Sequence, residues 1–349
     1  MGKKTVTFQD IADYTHFSKT TISRYFNNPD SLTPANQEKI AKALEVLNYK
    51  ENKVARILAS GHTEFVGVLI PNMYNDFYTV VLERILHTYR DYGYKFIVFE
   101  GSHDENIERK YVDELVSYKI EGLIVLSHTI PSSELASYKI PVVGVEREDT
   151  FIHSVNTDNY MGGVQAAALL HKNNCDILIH INPQVNPNVP GYRRINGFVD
   201  ICNEHHLAYR VITHENPKDY KEMAMYIEQI ADQITEEYRG KRKGIFCSSD
   251  IAANIMLNYL IRKYGRLPDD FRIVGFDNSP ISRQSVIPIS TVGQQVDLIV
   301  ENVMELLSSQ INESKKRRPS LAKEPIHRII SPILLTRETA IPEANLKKE

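Results

Sequence analysis

Apolar residues recur at helical spacing through three short segments near the amino terminus, with polar residues between them. This spacing predicts three helices that close one small core, formed by Phe8, Ile11, Ala12, Phe17, Ile22, Phe26, Ile40, Leu44 and Leu47. A residue that can cap a helix precedes each segment: Thr7 (with Asp10 three positions later), Ser18, and Thr33 before Pro34. Two short helices joined by a tight turn are typical of a helix-turn-helix, which we predict for residues 1–50.

A shorter helical segment follows at residues 51–62. It starts near Asn52, a good capping residue, and ends at Gly61. A helix of little more than two turns is not stable alone in water. Leu58 has no evident core of its own, and apolar side chains of this kind can kink DNA from the minor groove. We therefore predict a conditional hinge helix with Leu58 as its wedge.

After residue 62 the pattern changes to short β-rich runs that alternate with amphipathic helical runs. Strands are predicted at residues 65–70, 95–100, 122–126, 142–145, 176–181, 209–213, 244–247 and 272–276. Helices lie between them, for example at 76–92. This alternation predicts parallel sheets with right-handed crossovers. The order strand, loop, helix, strand occurs twice, so residues 63–349 are predicted to form two α/β halves around a ligand cleft.

Composition agrees with a two-part protein of the cytoplasm. The chain of 349 residues is long enough for a small and a large domain. It contains no apolar run of about eighteen residues, so no membrane partner is expected. The two lysines near its start are followed by no apolar stretch of the signal-peptide type. Cysteines occur only at Cys175, Cys202 and Cys247, an odd and sparse set that argues against a disulfide framework.

Charge and side-chain type indicate that the first predicted domain binds nucleic acid. Residues 1–60 contain nine Lys/Arg and six Asp/Glu, which leaves +3; the whole chain carries −3, so the remainder carries −6. The second predicted helix presents polar side chains off its core face: Lys19, Thr20, Thr21, Ser23 and Arg24. Such side chains reach phosphates or base edges in a major groove. A helical bundle with a solvated polar face is the alternative that three helices alone leave open.

Three runs of residues resemble the lactose-repressor/galactose-repressor (LacI–GalR) family of bacterial transcription regulators. They read V-T-x-x-D-I-A from Val6, S-x-x-T-I-S-R-x-x-N-N from Ser18, and N-Y-x-x-N-x-x-A-R-x-L-x-x-G from Asn48. His16 stands where the family usually has glycine, and histidine tolerates a left-handed backbone better than most residues. The resemblance implies DNA contacts from Thr7, Ser18, Lys19, Thr20, Thr21, Ser23, Arg24, Asn27, Asn52, Ala55, Arg56 and Leu58. Among these, Lys19, Thr20 and Arg24 are expected to read bases.

The resemblance also implies an architecture and partners. The core is expected to contain two doubly wound parallel-sheet subdomains, similar to periplasmic sugar-binding proteins. The chain would cross between them near residues 158–162, 289–293 and 322–328. The implied function is a DNA-binding repressor, a homodimer on near-palindromic operator DNA, controlled by a sugar or sugar phosphate. Residues 339–349 contain one leucine and no heptads, which favours a dimer over a tetramer. A phosphocarrier protein as corepressor is a further partner that the family leaves open.

Ligand-binding residues follow from the same resemblance. Phe77 and Tyr78 belong to a run similar to the family's P-x-x-x-N-P-F-F and would form an aromatic wall; the first core turn of a helix is their alternative role. Arg194 matches R-x-x-G-F and offers a fork of donors to hydroxyl groups. Asp277 matches G-F-D and would accept from hydroxyls, although a turn-forming role is its alternative.

Two weaker ligand candidates occupy altered family positions. Arg147 follows Glu146 where the family commonly has D-R. Ser249 stands where many members have asparagine, which puts that contact in doubt. The glycines at 162 and 163 are interpreted as packing rather than contact residues.

Sequence motifs for catalysis are missing. The chain has no G-x-G-x-x-G, P-loop, G-x-S-x-G or H-E-x-x-H. His205 and His206 are adjacent, so on a helix they point apart and predict no metal site with Cys202. No cofactor is expected, and the protein is predicted not to be an enzyme. The alternative function is a sugar-processing α/β enzyme with an accessory head.

Overall fold

The computed structural model describes residues 6–50, 57, 61–101, 104–147, 150–183, 189–316 and 324–341. The chain divides into two compact units, Met1–His62 and Thr63–Glu349. Four of the expected DNA-contacting residues lie outside the described residues: Asn52, Ala55, Arg56 and Leu58. The hinge helix therefore stays a prediction. None of the helices among the described residues combines the length and the apolar character of a membrane-spanning segment.

Residues 6–50 of the amino-terminal unit form three α-helices: α1 (Phe8–Thr15), α2 (Lys19–Asn27) and α3 (Pro34–Val46). Thr7 and Asp10 form a capping box at the start of α1. His16 adopts the left-handed conformation, with φ of 59°, and so makes the tight turn that the family usually makes with glycine. The side chains of Ile11, Ile22 and Ile40 are fully buried. All nine apolar residues predicted for this core pack together, which confirms the predicted helix-turn-helix.

The larger unit contains two lobes, each built on a six-stranded sheet. Its strands are β1 (Phe65–Ile70), β2 (Lys95–Glu100), β3 (Gly122–Val125), β4 (Val142–Val145), β5 (His153–Thr157), β6 (Ile177–Pro183), β7 (Tyr209–His214), β8 (Lys243–Cys247), β9 (Phe271–Asp277), β10 (Ser290–Gly293), β11 (His327–Ile330) and β12 (Ile333–Leu335). The first sheet has the order β11-β5-β4-β3-β1-β2, and the second β12-β10-β9-β8-β6-β7. Every pairing is parallel except that of β12 with β10.

Helices cover both faces of each sheet, as parallel sheets require. They are α4 (Asp76–His87), α5 (Tyr89–Tyr92), α6 (Glu105–Ser117), α7 (Ser132–Ser137), α8 (Asn159–Lys172), α9 (Arg193–Glu204), α10 (Tyr220–Glu237), α11 (Asp250–Tyr264), α12 (Pro280–Gln284) and α13 (Val296–Ser314). The predicted helix at 76–92 is in fact two, α4 and α5. In β1, Val68 and Leu69 pack into separate cores on opposite faces of the sheet. The predicted pair of doubly wound subdomains is confirmed.

The chain passes between the lobes three times. The first passage follows β5 at residue 158 and the second follows β10 at residues 294–295, close to the predicted positions. The third lies at residues 331–332, so the predicted position of 322–328 was wrong. The reason is β11, which adds an edge strand to the first sheet before the chain leaves that lobe.

Close packing of α8 against α9 fixes the position of the second lobe's first helices. A Cβ atom at Gly163 would lie 2.1 Å from the carbonyl oxygen of Arg194, and one at Gly197 would lie 2.0 Å from that of Tyr160. Real Cβ atoms cannot approach so closely, so the two backbones touch only because both positions are glycine. The packing role expected for Gly163 is confirmed, and it sets the first turn of α9, where Arg194 lies.

Candidate functional site

The exposed face of α2 carries the residues expected to read DNA. Lys19, Thr20 and Arg24 are exposed, whereas Thr21 and Ser23 are half-buried beside the buried Ile22. The side chain of Asn27 lies outside what the structure describes. This face presents two cations and several hydroxyls from one short helix, a suitable set for phosphates and base edges.

Two other residues expected to contact DNA, Thr7 and Ser18, are N-caps of helices. Ser18 is the N-cap of α2, where its Oγ accepts from Thr21 N at 3.1 Å. The Oγ1 of Thr7 donates to Asp10 Oδ2 at 2.6 Å. Both residues are exposed. Their hydroxyls therefore have a structural role in addition to the predicted contact with DNA.

A cavity of about 400 Å³ lies between the two lobes, at the carboxyl ends of their strands. Parallel sheets commonly bind ligands at this edge. Five of the six residues expected to bind the ligand line this cavity: Phe77, Tyr78, Arg194, Ser249 and Asp277. Residues more than 190 positions apart in the sequence are thus brought to one site.

Arg194 lies deep in the cleft with two of its nitrogens engaged. Its Nε donates to Asn159 Oδ1 at 2.6 Å, and its Nη1 donates to Ser248 O at 2.8 Å. The guanidinium carbon lies 3.5 Å from the centre of the Phe276 ring, which holds the group flat by cation–π stacking. Burial lowers the pKa of Arg194, while the carboxyl groups of Asp277 and Glu146 oppose that shift. The side chain is consequently held in one orientation before a ligand arrives.

Asp277 ends β9 in an unfavourable backbone conformation. Its φ of 109° lies in the left-handed region, and Asn278 follows with φ of 56°. Strained residues of this kind are maintained by their surroundings and cluster at ligand sites. The carboxyl Oδ1 accepts from Gln294 Nε2 at 2.7 Å. Burial raises the pKa of Asp277 well above its usual value, against the opposing effect of Arg194.

A continuous run of hydrogen bonds connects Arg194 with Asp277 through the crossover segments. Its intermediate members are Asn159, Glu146, Thr157 and Gln294. Glu146 follows the lobe 1 strand β4 directly, whereas Asn159 starts the lobe 2 helix α8. Because the run includes both lobes, a change in their relative orientation must change these bonds.

Tyr74 makes a second bridge across the cleft. It lies in the loop after β1, in lobe 1, and its hydroxyl donates to Pro217 O of lobe 2 at 3.1 Å. Its ring packs against the apolar core of lobe 2. Burial raises the pKa of Tyr74, and Asp219 and Glu222 add to the shift. The hydroxyl therefore stays a neutral donor.

The aromatic pair differs in environment. Phe77 is 5% exposed and packs into the lobe 1 core, so the structure supports its alternative role as the first core turn of a helix. Tyr78 is close enough to Asp277 and Arg194 to be influenced by their charges. Burial raises the pKa of Tyr78, which makes its hydroxyl a neutral partner for a ligand. Tyr78 is therefore the better placed of the two.

The structure does not bring Arg147 to this cleft. Arg147 is buried, with its guanidinium donating to Ser127 O, Ile130 O and Ser132 Oγ, and it borders a neighbouring cavity. The chain turns directly after β4, where Glu146 has a left-handed φ of 55°, so Glu146 faces the cleft while Arg147 borders the neighbouring cavity. Ser249 does line the cleft, but its Oγ also caps α11 by accepting from Ala252 N at 3.3 Å.

Several cleft residues were missed by the sequence reasoning. They are Asn72, Tyr74, Glu146, Asn182, His214 and Gln294. Each ends a strand or lies just after one. The rule that ligands bind at the carboxyl ends of parallel strands was therefore the signal that could have identified them.

Known protein families match both units of the chain. The profile described as "Bacterial regulatory proteins, lacI family" matches residues 7–52. "Periplasmic binding proteins and sugar binding domain of LacI family" matches residues 63–229, and "Periplasmic binding protein-like domain" matches residues 167–331. Together these matches cover the helix-turn-helix and both lobes.

Similar proteins span nearly the full chain. The sucrose operon repressor of Pediococcus pentosaceus is 28% identical over 306 residues, covering 87% of this chain and 92% of the relative. The ribose operon repressor of Halalkalibacterium halodurans is 27% identical, covering 88% and 91%. Catabolite control protein A of Staphylococcus epidermidis is 26% identical, covering 91% and 96%.

Solved structures show the same fold. A periplasmic binding protein/LacI transcriptional regulator from Alkaliphilus metalliredigens, complexed with D-xylulofuranose, has a TM-score of 0.67 at 25% identity, covering 80% of this chain and 99% of that one. The lac repressor dimer bound to operator has a TM-score of 0.77 at 19% identity, covering 97% and 100%. The relatives are transcription regulators, so the alternative of a sugar-processing enzyme is excluded. The chain belongs to the LacI–GalR family of bacterial transcription regulators and is a DNA-binding protein with a helix-turn-helix and a periplasmic-binding-protein-like core.

Proposed function

We propose that the protein is a homodimeric repressor whose affinity for a near-palindromic operator is set by a sugar or sugar phosphate in the cleft. One observation carries this proposal: Arg194, Asp277 and Tyr78 line one cavity, and a run of hydrogen bonds connects Arg194 with Asp277 through the crossover segments. The donors of Arg194 and the acceptors of Asp277 suit hydroxyl pairs, and an aromatic ring suits the apolar face of a sugar. Relatives named as sucrose and ribose operon repressors support the same class of effector.

The cleft can influence DNA binding only through the relative orientation of the lobes. A ligand shifts such an equilibrium by its differential affinity for the two orientations, typically ~1–3 kcal/mol. The chain leaves lobe 1 for the DNA-binding unit immediately before β1. A hinge helix that is marginal alone would fold or melt in response to a small change in the spacing of two protomers.

The test is a band shift with DNA from upstream of the protein's own coding region, with and without a panel of sugars. We expect a specific complex whose affinity changes with one of the sugars. Footprinting should show two related half-sites, because a two-fold protein matches a two-fold operator. Protection of a single half-site by a monomer contradicts the proposed dimer. A phosphocarrier protein as corepressor stays a prediction of the family resemblance, and adding one to the same assay tests it.

Arg24→Ala is expected to weaken specific operator binding by about 1–3 kcal/mol and to relax one base position. The reason is that Arg24 is exposed on α2, where a guanidinium can bind a base edge with two hydrogen bonds. Fluorescence anisotropy on operators with single base changes measures both effects. Arg90→Ala, an exposed arginine of the core, is the control and should change neither. Equal weakening on every sequence means that Arg24 contacts phosphate instead.

Leu58→Ala is expected to remove operator bending and specific affinity while leaving sugar binding unchanged. The expectation rests on the sequence and on the family resemblance, in which paired hinge helices open the central base step. Unstacking a step costs about a few kcal/mol, and contacts made possible by the bend offset that cost. A circular-permutation gel shift measures the bend. Unaltered bending in this variant contradicts the wedge role.

A further inference from the structure

The charged side chains that line the cleft limit the kinds of ligand that it can bind. Among the described lining residues, Arg194 is the one side chain with a permanent positive charge, and no lysine is present. Glu146 and Asp277 bring carboxyl groups to the same cavity. The other polar groups are neutral amides and hydroxyls, apart from two histidines. Carboxyl groups therefore outnumber permanent cations among the described residues that line the cleft.

The positive charge of Arg194 is already balanced inside the protein. Two of its nitrogens donate to Asn159 Oδ1 and Ser248 O, and its Nη2 lies 4.0 Å from Glu146 Oε2. Asp277 adds a second carboxyl group to its surroundings. A phosphate group would have to compete with these partners, because it needs charge-assisted hydrogen bonds from cations that are free to turn towards it.

Of the two lining histidines, His128 and His214, the second adds no positive charge. Burial lowers the pKa of His214, so its ring is neutral at pH 7. Its Nδ1 lies 2.7 Å from Glu215 O and donates to it, which leaves Nε2 as an acceptor. An acceptor at this position suits a hydroxyl group and repels a phosphate oxygen.

The burial of Asp277 adds to the effect of the lining charges, because this carboxyl group is 7% exposed and shares the cavity with Glu146. Burial raises the pKa of Asp277 well above its usual value in spite of the nearby Arg194. The causes are burial and the neighbouring carboxyl groups of Asp250 and Glu146, and both would also act on a bound anion. A phosphate dianion carries more charge and would lose more hydration on entering.

We propose that the effector is an uncharged sugar and that this cleft excludes phosphorylated sugars. This inference rests on the proposed function, because it concerns the same cleft. It identifies the neutral hydroxyl groups of the sugar as the groups recognised by Arg194, Asp277 and His214. The cleft would discriminate between sugars and sugar phosphates because it has few free cations, and not because of its size.

Isothermal titration of the full-length protein with matched pairs tests the inference. The probes are glucose and glucose 6-phosphate, ribose and ribose 5-phosphate, and sucrose and sucrose 6-phosphate. We expect the sugar that binds most tightly to do so at least about tenfold better than its own phosphate. Its affinity should stay constant between about 50 and about 500 mM NaCl, since no ion pair with the ligand is screened.

Asn216→Lys supplies the missing cation and gives a second, positive readout. Asn216 is exposed and lines the cleft, so a lysine there can reach a phosphate without disturbing the core. We expect the phosphate's affinity to rise at least about fivefold with little change for the uncharged sugar. Asn196→Lys is the matched control, because Asn196 is exposed on α9 and lies outside the cavity lining. It should change neither affinity.

Each result separates the two proposals. Tighter binding of a sugar phosphate than of its parent sugar, lost in Arg194→Ala, overturns the inference but leaves the proposed function standing. No gain of phosphate affinity in Asn216→Lys also overturns the inference, since exclusion would then not depend on charge. Absence of any binding that depends on Arg194 overturns the proposed function and the inference together.

Discussion

Gly163→Ala is expected to lower the free energy of unfolding of the core by about 3 kcal/mol, at the upper end of the usual overpacking cost. The new Cβ atom would lie 2.1 Å from the Arg194 carbonyl oxygen and 2.9 Å from Phe198 N. These are backbone atoms, so no rotamer change can relieve the contact. The helices α8 and α9 must separate, which exposes apolar surface of the lobe 2 core. Urea unfolding monitored by circular dichroism measures the loss.

The glycine at position 191 provides the matched control for this experiment. A Cβ atom at Gly191 would meet no heavy atom within 4 Å. Gly191→Ala should therefore change the free energy of unfolding by less than about 0.5 kcal/mol. Gly197→Ala should resemble Gly163→Ala, because it meets Tyr160 O at 2.0 Å from the opposite helix. Unchanged stability in both helix variants would show that the helices can separate without cost.

Arg194→Ala is expected to abolish the effect of the sugar on operator binding, with ligand-free DNA affinity near normal. The substitution removes donors that face the ligand and a permanent positive charge beside Glu146 and Asp277. Two buried carboxyl groups would then lack their compensating charge, at a cost of about 3 kcal/mol in stability. It also releases Asn159 Oδ1 from its bond with Nε, the terminal bond of the run, while the bond between Asn159 and Glu146 that joins the lobes remains.

Titration of operator binding against the effector measures this response, with thermal unfolding of the same samples as the test of folding. Arg193→Ala is the control, because Arg193 is the exposed neighbour on the same helix and does not line the cavity. Arg194→Lys should restore little of the sugar's effect on operator binding, since an ammonium group cannot reproduce the fork of donors or the stacking on Phe276. A full sugar response in Arg194→Ala means that the effector binds elsewhere.

Local sequence signals were sufficient for the amino-terminal unit. Its helices begin at the predicted caps, its core contains the predicted apolar residues, and His16 makes the predicted left-handed turn. These features depend on neighbours within a few positions, because helical spacing and capping are short-range effects. The same holds for strands such as β1 and β2, whose runs of branched and aromatic residues were identified with their observed bounds.

The polar strands β5 and β10 were not predicted from the sequence, and the reason is physical. The strand β5 contains Ser154, Asn156 and Thr157, and β10 contains Ser290 and Thr291, yet all five are buried. Their polar groups are satisfied by partners remote in sequence; Ser154 Oγ, for example, bonds with His327 Nδ1 at 2.9 Å. The local sequence pattern does not predict such remote partners. Tertiary packing alone made these segments strands, and it moved the third crossover beyond β11.

The sequence by itself determined the helix-turn-helix, the alternation of strands and helices, and the residue types that suit hydroxyl binding. Only the tertiary structure decided which of those residues meet. It brought Arg194 and Asp277 together with the unpredicted Glu146 and Gln294, and it turned Arg147 away into a neighbouring cavity. The reason is that a cleft forms from strand ends remote in the chain, whereas caps, turns and amphipathic periods form within a single element.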